Sequence, residues 1–411
     1  MKRSLFILTL VAIIALASLA FAAEEGQTVK TGIGGLTIGG TYKAGFNYYI
    51  GQEKPGDPEW LKVGQAVDRD QDMEFTFNYA NITLKGWVVD ERVTYAVSFA
   101  FKEDGTKLDD MKLGFHYIPY TGIYIGRILP EFTYFNGLSP AKFKTIEQPL
   151  MNAYIFNRDR QTGLNLGLKT TYLDANLGVY NGRQFFPAFI ADGTQDGTTV
   201  GNLTWGDQNT GKDIHFGITA KPPLDGLDIR LGLWYGTPLD NFETKDGVKT
   251  EHNAAVMFIN GGIDYLAPFG LTFVADILYG TYTWDSKMPT DFKADRGDDN
   301  SAYTLATMSY YIMAAYNFGP MFEVPVELLV RYDYWDPDTL NDKKKHGPSE
   351  DDALTDITVG VNYYIKNYNA MLSMDYINHG EQWEEVTNLK GDDTQTGINN
   401  DELRLQAQVA F

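Results

Sequence analysis

The sequence predicts an all-β chain that closes into a transmembrane antiparallel β-barrel of about 16 strands. Three observations predict it. Segments of period two carry one apolar, uncharged face. The connections between them alternate between short and long. Behind an N-terminal export segment, no apolar stretch is long enough to cross a bilayer as a helix.

The export segment comes first. Lys2 and Arg3 give a positive start, residues 5–19 are almost uninterruptedly apolar, and Ala20, Phe21 and Ala22 form the small-x-small pattern that a signal peptidase reads. Residues 1–22 are expected to be a removed signal peptide, and 23–411 a single barrel. A membrane-anchoring helix needs about 20 apolar residues, and this run is shorter. An exported chain is then either soluble or inserted as a barrel, because only helices and closed barrels satisfy every backbone group inside lipid. The 411 residues contain no cysteine, which argues against a small disulfide-stapled secreted module.

Charge narrows the partners. Lys and Arg number 34 against 54 Asp and Glu, a net −20; without Lys2 and Arg3 the count is 32 against 54, or −22. Phosphate binding needs a basic face, so nucleic acid is not expected as a partner. The mean hydropathy of −0.27 is polar for a membrane protein, yet it suits a barrel, where only alternate residues of each strand meet lipid. The 26 Tyr and 24 Phe suit a membrane–water boundary.

The C-terminal segment is the clearest strand. Leu403, Leu405, Ala407, Val409 and Phe411 share one face, and Arg404, Gln406 and Gln408 share the other. The same alternation places Ile214, Phe216 and Ile218 opposite Asp213 and His215, and Val326, Leu328, Val330 and Tyr332 opposite Glu327, Arg331 and Asp333. The expected strands are 37–50, 72–88, 93–103, 109–118, 122–129, 161–172, 174–182, 212–221, 226–236, 253–265, 270–284, 301–318, 324–335, 355–366, 368–378 and 402–411. Three are irregular. In 72–88 the apolar parity switches, which a bulge near Tyr79 to Asn81 repairs; 122–129 and 301–318 are apolar on both faces.

The connections carry the direction of the barrel. Short ones fall at 89–92, 119–121, 222–225, 266–269, 319–323 and near Asn367; long ones at 51–71, 130–160, 183–211, 237–252, 285–300, 336–353 and 379–401. Only 104–108 is short where a long one is due. Short periplasmic turns and long outer loops are the pattern of outer-membrane barrels.

Within 74–182 several motifs point further: Asn81-Ile82-Thr83-Leu84-Lys85-Gly86, the strand Tyr95-Ala96-Val97-Ser98-Phe99, Leu113-Gly114-Phe115 leading to Tyr124-Ile125-Gly126-Arg127, Arg160-Gln161-Thr162-Gly163-Leu164, and Gly178-Val179-Tyr180-Asn181-Gly182. This stretch resembles the phosphate-selective porin O/P family. The resemblance implies a sixteen-stranded barrel in the outer membrane of a Gram-negative-type bacterium, among lipid and lipopolysaccharide. It also implies homotrimers and a third outer loop folded into the pore, here 130–160. The expected function is passive diffusion of small hydrophilic solutes and ions through a weakly selective pore, without enzymatic activity or cofactor. The alternatives are an anion- or phosphate-preferring pore, or an adhesive or structural barrel.

The alternation assigns Lys43, Lys85, Lys112, Arg127, Lys169, Arg230, Arg331, Arg404, Glu327 and Asp333 to the pore lining. Basic and acidic residues on the inner wall come close to balance, so the acidic surplus belongs to outer loops such as Asp295, Asp298 and Asp299 or Glu350, Asp351 and Asp352. These runs either solvate the loops, attract cations, or bridge divalent ions to lipid phosphates. The constriction loop holds Lys142, Lys144, Arg158 and Arg160 against Glu131 and Glu147, a slightly basic balance unless these basics pair with nearby acids.

No catalytic or metal constellation stands out. Asp68-Arg69-Asp70-Gln71-Asp72 begins like a calcium loop, but Met73 occupies the glycine position and Tyr79 the closing glutamate position. His116, His215, His252, His346 and His379 lack metal spacing, and no nucleophile-elbow or phosphate-loop motif is present.

Overall fold

The computed structural model describes residues 28–31, 34–50, 73–88, 91–102, 105–156, 160–182, 212–237, 239–243, 249–284, 303–336, 339, 353–381, 386–387, 393–394 and 401–411. The expected signal peptide, the Asp68 to Asp72 motif, Arg158 and the acidic runs named above lie outside the described residues.

Sixteen strands form one closed antiparallel barrel among the described residues. In chain order they are β1 (Gly34–Ile50), β2 (Met73–Val88), β3 (Val93–Lys102), β4 (Gly105–Phe115), β5 (Thr121–Ile128), β6 (Gln161–Lys169), β7 (Leu173–Tyr180) and β8 (Asp213–Ala220). They continue as β9 (Leu227–Gly236), β10 (Lys249–Leu266), β11 (Leu271–Trp284), β12 (Tyr303–Asn317), β13 (Val326–Asp336), β14 (Leu354–Lys366), β15 (Ala370–Glu381) and β16 (Asp401–Ala410). Each pairs with its sequence neighbours, and β1 closes on β16 with Thr41 opposite Ala410 and Ile50 opposite Asp401. Closure leaves no strand edge, so every ladder group inside lipid is paired. Phe411 completes the seam: its N–H donates to the Gly40 carbonyl at 3.0 Å, and its own carbonyl accepts from the Gly40 N–H at 2.8 Å.

Alternation decides which residues face out. Leu231, Ile259, Ile277, Ile312 and Val359 stand exposed on the outer face, while Trp234, Asn260, Asp276, Tyr311 and Thr358 on the other parity are buried. An arginine at Ile259, midway along β10, puts a charge into the hydrocarbon layer. Ile259→Arg should lower unfolding stability in lipid vesicles by about 2–4 kcal/mol, measured by urea titration. An unchanged midpoint would refute the outward placement.

The turns after β2, β4, β12 and β14 lie on the side where β1 begins and β16 ends, whereas the short β3–β4 connection lies on the other side. Glu91, Tyr120, Glu323 and Asn367 take left-handed backbone in those four turns, with φ of 63°, 62°, 57° and 49°. Gly270, at φ 101°, sits in the β11 turn, and its carbonyl accepts from Asn317 N–H at 2.9 Å; an L side chain would be strained at that φ.

The three irregular strands have physical explanations. The register of β1 against β2 shifts between Lys43 and Gly45, opposite Tyr79 and Thr76, so the extra residue lies at Phe77 and Asn78, just before the expected bulge. β12 is apolar on both faces because Ile312 faces outward while Tyr311 and Met313 pack inside the barrel. β5 likewise has Ile123 and Ile125 outward and Ile128 buried. Two expected strand starts move by four residues, that of β10 from 253 to Lys249 and that of β4. β4 begins at Gly105, not 109, and Lys107 and Leu108 pair with Ala100 and Phe99. The acidic pair Asp109 and Asp110 lies in the strand as expected, at the register shift between Val97 and Phe99 of the β3–β4 pair.

Candidate functional site: the lumen and its inward segment

The segment between β5 and β6 runs inside the barrel. It contains a short helix, α1 (Tyr134–Gly137), capped by Thr133, whose side chain accepts from Asn136 N–H. A one-turn 3-10 helix (Pro140–Lys142) and a π-turn (Met151–Ile155) follow. Tertiary contact holds such short helices, because a single turn is not stable alone.

Two kinds of contact hold it. The first is a dry core. Phe132, Leu150, Met151, Ile155 and Phe156 from the segment pack against inward Tyr180, Trp234, Val256, Phe258, Leu278, Tyr311 and Trp335. Phe132 and Phe156 meet the Trp234 ring edge-on at 6.0 and 5.7 Å, and Tyr154 stacks on Trp335 at 4.1 Å. Such offset and edge-on pairs suit the ring quadrupoles.

The second is a line of polar anchors along the wall. Asp276 on β11 accepts from Tyr134 N–H at 2.9 Å, and Asp375 on β15 accepts from Ile146 N–H at 2.6 Å. Glu327 on β13 pairs with Lys144. Arg331, also on β13 and 2% exposed, donates to Asp333 at 2.6 Å, to the Glu147 carbonyl at 2.8 Å and to the Thr145 hydroxyl. Asn362 on β14 donates to the Lys144 carbonyl at 2.8 Å, and Gln408 on β16 to the Ala141 carbonyl at 2.8 Å. Arg404 pairs with Glu147 and Glu402. Arg230 pairs with Asp264 and lies over the Tyr134 ring at 4.8 Å. Buried Lys144 and Arg331 each have a carboxylate partner, and buried Asp375 is met by a backbone N–H, because burial of a charge without a partner is costly.

The expected pore-lining residues therefore divide. Arg230, Glu327, Arg331, Asp333 and Arg404 face inward, but the inward segment engages them. Lys43, 4% exposed, lies 4.8 Å from the Phe143 ring and is also covered. Lys85, Lys112 and Lys169 remain on the open part of the wall, where Lys169 stands opposite Asp174, itself paired with Lys221 at 2.7 Å. Arg127 is a correction. It shares its parity with outward Ile123 and Ile125 and pairs with outward Met111, and its Nε donates to the Leu108 and Asp109 carbonyls, each at 3.1 Å. Strand parity over β5 alone is ambiguous because both faces are apolar; pairing with β4 resolves it.

The constriction residues divide too. Lys144 is buried against Glu327, and Arg160 pairs with Asp109 at 3.2 Å and Asp110 at 3.5 Å. Lys142 and Glu131 are exposed. Burial alone would lower the Lys144 pKa, but the Glu327 carboxylate, with Tyr368, more than offsets it and raises the net value above the usual 10.5. A raised lysine contributes fully below its unfolded value and is lost only as pH rises through the folded one. Titration of Lys144 should thus leave single-channel conductance unchanged from neutral pH to about 9. A step in conductance there would show that the pair does not hold the segment.

Sequence reading missed the anchoring role of Asn362, Asp375 and Gln408. Their alternation signalled an inward polar residue, but not what it would meet.

A closed barrel of sixteen strands with a loop folded into its lumen is the porin architecture, and the fold is that of a porin. Residues 254–411 match the model of the phosphate-selective porin O and P family. The chain resembles that family through β10–β16, whereas the motifs read from sequence lie in 74–182. No curated protein matches the sequence. Among solved structures, the outer membrane channel DcaP of Acinetobacter baumannii aligns with a TM-score of 0.60 at 13% identity, covering 94% of this chain and 100% of that one. The anion-selective porin from Comamonas acidovorans aligns at 0.57 and 11%, covering 92% and 100%. The trimer form of OmpT, an outer membrane protein of Vibrio cholerae, aligns at 0.56 and 12%, also covering 92% and 100%.

Proposed function

We propose that this chain is an outer-membrane porin through which small hydrophilic solutes and ions diffuse passively. The observation that carries the reading is the division of the lumen. The inward segment fills one side with a dry core and polar anchors and covers Lys43 on β1, and the wall around Lys85, Lys112 and Lys169 on β2, β4 and β6 is left as the path. About sixteen strands leave an aqueous channel, and a folded-in segment narrows it without closing it. The protein is exported with residues 1–22 removed, sits among lipid and lipopolysaccharide, and assembles as a homotrimer; the trimer form of one similar barrel supports the last point. It acts as a passage and carries out no reaction.

Single-channel recording in a planar bilayer under a salt gradient tests this. Steady open current is expected, with a small reversal potential. Silence from folded protein would favour an adhesive or structural barrel.

A second reading, preference for anions, has its own support. On the open wall Lys85 and Lys112 have no carboxylate partner among the described residues, whereas Glu327, Asp333, Asp264 and Asp276 on the opposite wall are engaged. A reversal potential of anionic sign would decide for it.

A further inference from the structure

Two neighbouring rungs of the open wall carry complementary chemistry. Across β1 to β6 one rung reads Thr37, Lys85, Ala96, Lys112, Gly126 and Gly163. The next, toward the short turns, reads Gly35, Trp87, Thr94, Gly114, Tyr124 and Asn165. Both face the lumen. The first holds two ammonium groups with Ala96 between them, so their Cα atoms lie about 10 Å apart, within reach of one bound solute for side chains of this length. The second holds two aromatic rings separated by Thr94 and Gly114.

The small residues make the space. The Trp87 indole lies flat over Gly35, where an added Cβ would come within 2.2 Å of the ring. Gly114 is crowded in the same way by Thr94 and Tyr124. Between the rings and the lysines is a cavity of about 310 Å³, lined by Thr37, Lys85, Trp87, Thr94, Lys112 and Tyr124, with mainly apolar surface. The Lys112 ammonium lies 5.9 Å from the Tyr124 ring, and the Thr94 hydroxyl bonds to His116 Nε2 at 3.1 Å.

We infer that this cavity binds a small carboxylate with a flat apolar body, of the aromatic-acid class, on its way through the pore. The lysines take the carboxylate as charge-assisted partners, and Trp87 and Tyr124 take the ring. A bare inorganic anion would use the lysines and leave the apolar lining unoccupied. A neutral aromatic would leave two cations facing the lumen without a partner. The volume lies at the lower end of that typical for small-molecule sites, about 300–1,000 Å³. The inference rests on the open lumen proposed above, and its test is chosen to be independent of conduction.

The experiment is a tryptophan-fluorescence titration of folded, detergent-solubilised protein with benzoate, acetate and inorganic phosphate. Benzoate is expected to give a saturable change that acetate and phosphate do not reproduce. Lys85→Gln with Lys112→Gln should weaken benzoate binding about tenfold or more, as loss of charge-assisted bonds does. Trp87→Phe should remove most of the emission change while heat-modifiable electrophoretic mobility stays that of a folded barrel. Equal responses to benzoate, acetate and phosphate would overturn the assignment, as would a double variant that binds like the parent. Conduction without benzoate binding sinks this site alone. Binding without conduction sinks the porin reading alone.

Discussion

Arg331→Met is expected to lower the stability of the folded barrel by about 3–5 kcal/mol, because it strands a carboxylate in a buried place. Asp333 is buried beside Arg331, and the guanidinium also holds Thr145 and Glu147 of the inward segment. Loss of that clamp frees the stretch around 144–150, so single-channel traces should become noisier and open conductance should rise. The double variant Arg331→Met with Asp333→Leu removes both charges and should recover much of the stability while leaving the segment loose. Denaturant unfolding separates the two effects from the electrical recording. If the single variant matches the parent in both measurements, the clamp does not hold the segment.

Trp234→Ala should cost about 3–5 kcal/mol by opening a cavity in the dry side of the lumen. The ring is 1% exposed, stacks on Tyr180 at 5.7 Å and on His215 at 5.5 Å, and donates to Asp213 at 3.0 Å. It also meets Phe132 and Phe156, so its removal loosens both ends of the inward segment together. Apolar small molecules that fill the cavity should restore part of the stability. A loss below about 1 kcal/mol would mean that the aromatic core is not what seats the segment.

Much of the barrel was legible because strand period, turn composition and loop length are local properties. Ile214, Phe216 and Ile218 alternate with Asp213 and His215 whatever lies across the barrel, and the register confirms that placement. The strand count, the closure between β1 and β16 and the inward position of the third outer connection all followed from such patterns or from the family resemblance. Arg127 was misplaced because β5 is apolar on both faces and short enough that its own parity does not choose. Its partner strand chooses, through Met111.

The candidate site was less legible. A lysine on an inward parity looks the same whether it meets water or a carboxylate from a distant segment. Lys144 and Glu327 are 183 residues apart, and nothing in either neighbourhood signals the other. The cavity beside Lys85 and Lys112 likewise depends on register: Ala96 separates the lysines only because β3 pairs where it does.

The sequence by itself determined that the chain forms alternating strands suited to a membrane barrel, and that its connections differ in length on the two sides. Backbone hydrogen bonding in lipid leaves few other solutions for such a pattern. Only the tertiary structure decided which inward charges, such as Asp276, Glu327 and Asp375, are spent on holding the inward segment and which, such as Lys85 and Lys112, stay open. The reason is that pairing energy between buried charges depends on contact and dielectric at a single place in space, which no periodicity along the chain encodes.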